Sequence, residues 1–145
     1  VFYWWDRCAR AVQTGALRRF GLITTNSIVQ PFNRRVVTEF IEAVSPGHLE
    51  FAVPDHPWVE SVDGAAVRIS MTVGAGGHGP GVLARVIDER QGGEEGPVVT
   101  FSEARGQIHA DLRIGADLAG AVLLRSNVGL VSRLESRVNS HVEPS

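Results

Sequence analysis

The run Phe20-Gly21-Leu22-Ile23-Thr24-Thr25 is apolar until its last two residues and shows no polar alternation. A strand of this kind turns neither face to water, and a parallel sheet covered by helices on both sides is the usual way to bury one. Its flanks agree. Upstream, Val1, Trp4, Trp5, Cys8, Ala11 and Val12 fall on one stripe of an amphipathic helix that ends near Gly15, with Arg7 and Arg10 on the wet side. Downstream, beyond Pro31 and Asn33, Val36, Val37, Phe40, Ile41 and Val44 again step at helical spacing until Ser45-Pro46-Gly47 stops them.

Leu49 to Val53 then reads as a strand broken by Pro54-Asp55-His56-Pro57, and Ala65 to Val73 as another, with Asp63-Gly64 as the turn before it. A buried parallel strand, a crossover helix and a terminal hairpin are the second half of an open, doubly wound sheet. The expectation is an α/β fold, the C-terminal half of a Rossmann-like doubly wound sheet (helix-strand-helix-hairpin) with a small appended β segment. Residues 1–73 make the half-domain, 74–131 a glycine-rich connection and β linker with strands at 82–87 and 98–101 around the polar turn 91–96, and 132–145 a frayed tail. The first residue is not methionine and the helical pattern starts without a cap, so the chain is read as beginning partway through a larger domain.

All 14 basic residues are arginine, which excludes Schiff-base, P-loop and lysine-base chemistry. The formal net charge is −2: residues 1–50 carry six arginines against four acids, residues 51–145 eight against twelve, and neither half is basic enough to announce nucleic-acid binding. A single cysteine, Cys8, forbids an internal disulfide and reads as a buried, inert thiol. With no apolar run long enough to span a bilayer and no signal-peptide pattern, the expectation is a cytoplasmic protein without a membrane partner.

Self-contained catalytic chemistry is not visible. Gly74 to Gly81 follows a strand but precedes another strand, and Pro80 removes a donor, so a flexible connection is favoured over a phosphate site. The histidines His48, His56, His78, His109 and His141 lack metal-ligand spacing; His109 and Asp111 would share one strand face, which is not enough for a metal site. Ser27 lacks the glycines of a nucleophile elbow. What remains is Thr24-Thr25-Asn26-Ser27 at the carboxyl end of the first strand, where open α/β sheets bind ligands, against the alternative that they only cap the next segment. Trp58, expected on the hairpin loop, is either a core anchor or an exposed stacking platform.

Taken together, Tyr3-Trp4-Trp5 with Ala9-Arg10-Ala11, and Arg19 through Ile28, resemble the class I DNA N6-adenine methyltransferases of the combined restriction-modification type. The likeness continues at Gln30, Asn33-Arg34, Pro57-Trp58, Ala66 to Met71, Gly106 to Leu112, Gly115-Ala116-Asp117 and Leu124 to Leu130, but Leu134 to Ser145 departs from the glycine-rich continuation usual there, as a truncated or frameshifted end would.

The resemblance implies that the first helix follows the catalytic strand, that residues 20–25 are the fifth strand of the methyltransferase sheet, and that the segments around Phe51 and Val67 are its closing hairpin. It also implies a parent that uses S-adenosylmethionine and DNA. The glycine-containing cofactor motif and the Asn-Pro-Pro-aromatic motif of that family do not occur in these residues. The chain is thus expected to hold no catalytic residue and no cofactor by itself, and to need a missing N-terminal half or another subunit. Its substrate-binding candidates are Trp58, by likeness to an aromatic that stacks on the flipped base, then Thr25 and Asn26. The alternative is a non-catalytic half-domain that serves as an oligomerisation or subunit-pairing module.

Overall fold

The structure, a computed structural model, describes residues 2–58, 67–90 and 98–115. Helix α1 (Phe2–Gln13) leads into strand β1 (Arg19–Thr25), a single 3-10 turn (Asn26–Val29), helix α2 (Arg35–Glu42), and strands β2 (Gly47–Pro57), β3 (Arg68–Gly76), β4 (Gly81–Arg90) and β5 (Val98–Gly106). The strands form one five-stranded mixed sheet in the order β1-β3-β2-β4-β5. β3 is antiparallel to both β1 and β2, so β1 and β2 run parallel to each other; β4 is parallel to β2 and β5 antiparallel to β4.

The fold is α/β as expected, but β1 is not a strand buried between parallel neighbours. Its single partner among the described residues is antiparallel, and burial alternates, with Phe20 and Thr24 inside and Ile23 57% exposed. The apolar run misled because Gly21 and Ile23 contribute no more than one exposed apolar side chain to the outer face.

Trp5, Ala9 and Val12 form the buried stripe of α1, whereas Trp4, expected there, points outward against Tyr3. Arg7 and Arg10 do lie outside, and Cys8 is partly buried against the core. In α2, Val37 and Phe40 are buried, while Val44 lies beyond the helix and is fully exposed. Both helices lie on the same face of the sheet. Trp5, Phe20 and Phe40 meet edge to face with ring centroids 5.0–5.8 Å apart. Trp5 is wholly buried, and its indole N–H donates to Thr72 Oγ1 on β3 at 3.2 Å, giving the ring the polar partner that a buried indole needs. Glycines make room for the rings: a Cβ on Gly47 would fall within the Phe40 ring, and one on Gly74 would lie 2.6 Å from Phe20.

Two expectations about the middle of the chain change. Pro54-Asp55-His56-Pro57 does not end β2, which runs through to Pro57 with an irregular register between Val53 and His56. And the glycine stretch expected to be a flexible connection is paired at both ends, in β3 and β4. Because β2 lies between those two strands, residues 77–80 must cross its end, a step of two strand spacings or about 10 Å. The crossing is close: Gly77 N–H donates to Pro46 O at 2.8 Å, and a Cβ on Gly79 would stand 2.8 Å from His48 Nε2. Gly77 has φ +80°, the left-handed backbone that glycine adopts without strain. The turns expected at 63–64 and 91–96 and the tail at 132–145 lie outside the described residues.

Two substitutions check this core. Phe40→Ala removes the ring that joins α2 to α1 and to two glycines, and should cost about 3–5 kcal/mol in chemical denaturation. Thr24 is 4% exposed and its hydroxyl has no hydrogen-bond partner. The isosteric Thr24→Val should therefore leave the unfolding midpoint unchanged or raise it, and a clear loss of stability would show that the hydroxyl is satisfied in solution.

Candidate functional site

The register of β3 sets one end of the sheet. Thr25 at the end of β1 pairs with Ile69, and Pro57 at the end of β2 pairs with Arg68, so the carboxyl ends of β1 and β2 flank the start of β3. Trp58 follows directly, its N–H donating to Val67 O at 2.8 Å. Thr25, Asn26 and Trp58, the three candidates named from the sequence, therefore share this end.

Their surroundings differ. Thr25 is exposed and its hydroxyl pairs with that of Ser27 at 2.7 Å. Asn26, half-buried at the start of the 3-10 turn, is held from both sides: its Nδ2 donates to Asp55 Oδ1 at 2.9 Å, and its Oδ1 accepts from Ser70 Oγ at 3.2 Å. Since a carboxylate accepts only, the amide can face one way. Ser70, wholly buried, makes its shorter bond, 2.6 Å, to Pro54 O, so its single proton is shared between the strand irregularity and Asn26. Trp58 is 46% exposed and so is not a fully buried core anchor.

A chain of charges continues from Asp55. Arg68 Nε donates to Asp55 Oδ1 at 2.6 Å, and its two terminal nitrogens donate to Glu89 of β4 at 2.6 and 3.2 Å. The guanidinium is held charged first by Glu89 and then by Asp55, and in return its hydrogen bonds lower the Glu89 carboxyl below its ordinary value of 4.5. Beside this network lies a groove of about 420 Å³, lined by Asn26, Asp55, Arg34, Arg85, Asp111 and Arg113 among others. Trp58 is not part of its lining.

Asp55, Arg68, Ser70 and Glu89 are not legible as partners in the sequence, because nothing in their spacing says that β3 and β4 lie on either side of β2. His109 and Asp111 do not share a strand face; they sit in a turn closed by the Ile108–Ile114 bridge, with His109 Nε2 2.6 Å from Gly115 O. Among the described residues no group of three potential ligands could hold a metal ion. No described helix is long and apolar enough to cross a membrane.

Neither family models nor curated proteins give a match to this sequence. A solved structure, that of the Type IIL restriction-modification enzyme MmeI in complex with DNA, is similar in fold, with a TM-score of 0.54 and 20% sequence identity over 80% of this chain. The chain spans 15% of the length of that enzyme, and at this identity the likeness is one of fold.

The Arg68–Glu89 pair generates a pH prediction. A carboxyl with a lowered value in the folded state stabilises fully above its ordinary value and ceases to do so as pH falls through the lowered one. Glu89→Gln should be less stable than the parent at neutral pH, and the gap should close as the pH drops below 4.5, measured by denaturant titration at a series of pH values. A gap that persists undiminished well below that value would show that the charge of Glu89 is not what stabilises.

Proposed function

We propose that this chain is part of a site-specific DNA methyltransferase that transfers a methyl group from S-adenosylmethionine to adenine N6. The observation that carries the reading is the sheet itself: β1 and β2 parallel with β3 reversed between them, α2 as the crossover, and Thr25, Asn26 and Trp58 at their carboxyl ends. This agrees with the fifth strand and closing hairpin implied by the resemblance, and the fold is similar to that of a restriction-modification enzyme bound to DNA. The adenine amino nitrogen is a weak nucleophile because its lone pair is delocalised into the ring. An enzyme must therefore displace the base from the stack and hold it in line with the methyl sulfonium. In this division of labour the present residues form the floor of the base pocket, with Trp58 as stacking platform and Thr25 and Asn26 along the cleft. Groups that bind the cofactor and polarise the amino nitrogen belong to motifs not found in these 145 residues, so the chain alone is inactive.

Isothermal titration of S-adenosylmethionine into the isolated chain should give no binding; measurable affinity would contradict its dependence on another segment. Expressing the full reading frame that contains these residues in a host lacking adenine methylation should yield N6-methyladenine in the host DNA. With Trp58→Ala, kcat/KM should fall about 5- to 150-fold, the equivalent of about 1–3 kcal/mol of base stacking. DNA left unmethylated by the whole protein would sink the proposal.

A second reading, a half-domain that completes its sheet with another subunit or a second copy of itself, draws on β5. Among the described residues that strand is the edge of the sheet and is exposed along nearly its whole length, with Val98 and Phe101 at 60% and 40%. A light-scattering mass of one chain at all concentrations would count against it.

A further inference from the structure

Arg34, Arg85 and Arg113 come from the start of α2, the middle of β4 and the turn after β5, and all three line the groove beside Asn26. The two acids in the same lining are already engaged. Asp55 accepts from Arg68 and Asn26 at 2.6 and 2.9 Å. Asp111 accepts the Arg113 backbone N–H at 3.2 Å and stands 3.8 Å from its guanidinium. Arg34 and Arg85 have no carboxylate within 4.0 Å among the described residues. A guanidinium without a carboxylate keeps its planar fork of donors for an incoming anion, and phosphate is an anion that this fork fits in bidentate fashion.

Aromatic surface accompanies the charge. Trp58 is exposed at the same end of the sheet, and His56 stacks on half-exposed Phe101 with centroids 5.8 Å apart. Cations along a groove, with an exposed ring at the same end of the sheet though outside the groove lining, are a combination that can hold a nucleic-acid backbone while its bases stack, whereas a small carboxylate would engage one guanidinium and leave the others idle. We infer that Arg34 and Arg85, assisted by Arg113, bind phosphodiester groups of nucleic acid in this groove. The inference rests on the reading of the chain as part of a DNA-modifying protein, and it adds the residues that fix the backbone, which the resemblance does not name.

Each phosphate contact releases counterion, so the plot of log affinity against log salt has a slope of about −0.9 per contact on duplex DNA. Fluorescence anisotropy of labelled duplex and single-stranded oligonucleotides with the full chain, titrated with salt, reads that slope. Arg34→Gln and Arg85→Gln should each make it shallower by about 0.9, equally for unrelated sequences. Arg34→Lys and Arg85→Lys should keep it, and Arg35→Gln, on an exposed side chain outside the groove lining, should leave it unchanged. Circular dichroism identical to the parent excludes misfolding as the cause. Unchanged slopes in the two glutamine variants, an equal loss in Arg35→Gln, or no oligonucleotide binding by the parent at low salt would each overturn the inference. Binding through these arginines without adenine methylation by the whole protein would sink the methyltransferase reading alone; methylation with unchanged slopes would sink the arginine groove alone.

Discussion

The rest of the structure depends on the seating of one indole. Trp5 is the largest side chain with no exposure, and it reaches across from α1 to hydrogen-bond Thr72 in the middle of β3 while touching Phe20 of β1 and Phe40 of α2 edge to face. A single ring thus fixes four elements relative to one another, and the N–H bond fixes which residue of β3 lies beneath it. Because a slip of one residue turns every side chain of a strand to the opposite face, holding Thr72 inward also holds Ser70 and Gly74 inward. Gly74 then accommodates Phe20, and Ser70 reaches Asn26 and Pro54. The candidate site lies one strand repeat from the core anchor, and its geometry follows from the core's register.

A second constraint acts at the other side of the site, where β2 contains two prolines and continues regardless. Proline gives no N–H to a ladder, so the pairing of β2 with β3 breaks between Val53 and His56. The freed carbonyl of Pro54 is satisfied by the Ser70 hydroxyl instead of by backbone, and Asp55 is available to take Asn26 and Arg68. An irregular strand therefore provides what a regular one could not: a carboxylate held at the sheet end by two donors, close enough to set the orientation of the Asn26 amide. The charges in it are largely compensated, since Arg68 spans Asp55 and Glu89, and partly exposed pairs of this sort contribute more to geometry than to stability.

The elements legible in the sequence were those whose signal is local. The spacing of Trp5 and Val12, the helical steps of Val37 and Phe40, and the apolar run to Thr25 located α1, α2 and β1 closely. The carboxyl end of β1 was legible as a candidate because polar residues there interrupt an apolar strand. What stayed hidden depends on distant pairing. Nothing local distinguishes a β2 that passes through Pro54 and Pro57 from one that stops, since the decision lies with Ser70 and Arg68 on another strand. Likewise the glycines after Val73 read as looseness, yet Gly74 makes room for the Phe20 ring and Gly77 takes the positive φ of the passage across the end of β2.

Charge shows the same limit most plainly. A net charge of −2, without any lysine, argues against a nucleic-acid surface when it is summed along the chain. Binding, however, responds to the charges within about a Debye length of the ligand, roughly 8–10 Å, and not to the total. The fold separates its arginines into two kinds. Among the described residues Arg10, Arg19, Arg68, Arg90 and Arg113 each pair with a carboxylate, while Arg34 and Arg85, 51 positions apart, have no such partner and are brought to one groove. A chain of net charge −2 can in this way bring three arginines and two acids to one cleft, and the sign of that cleft is a property of strand order and packing before it is one of composition.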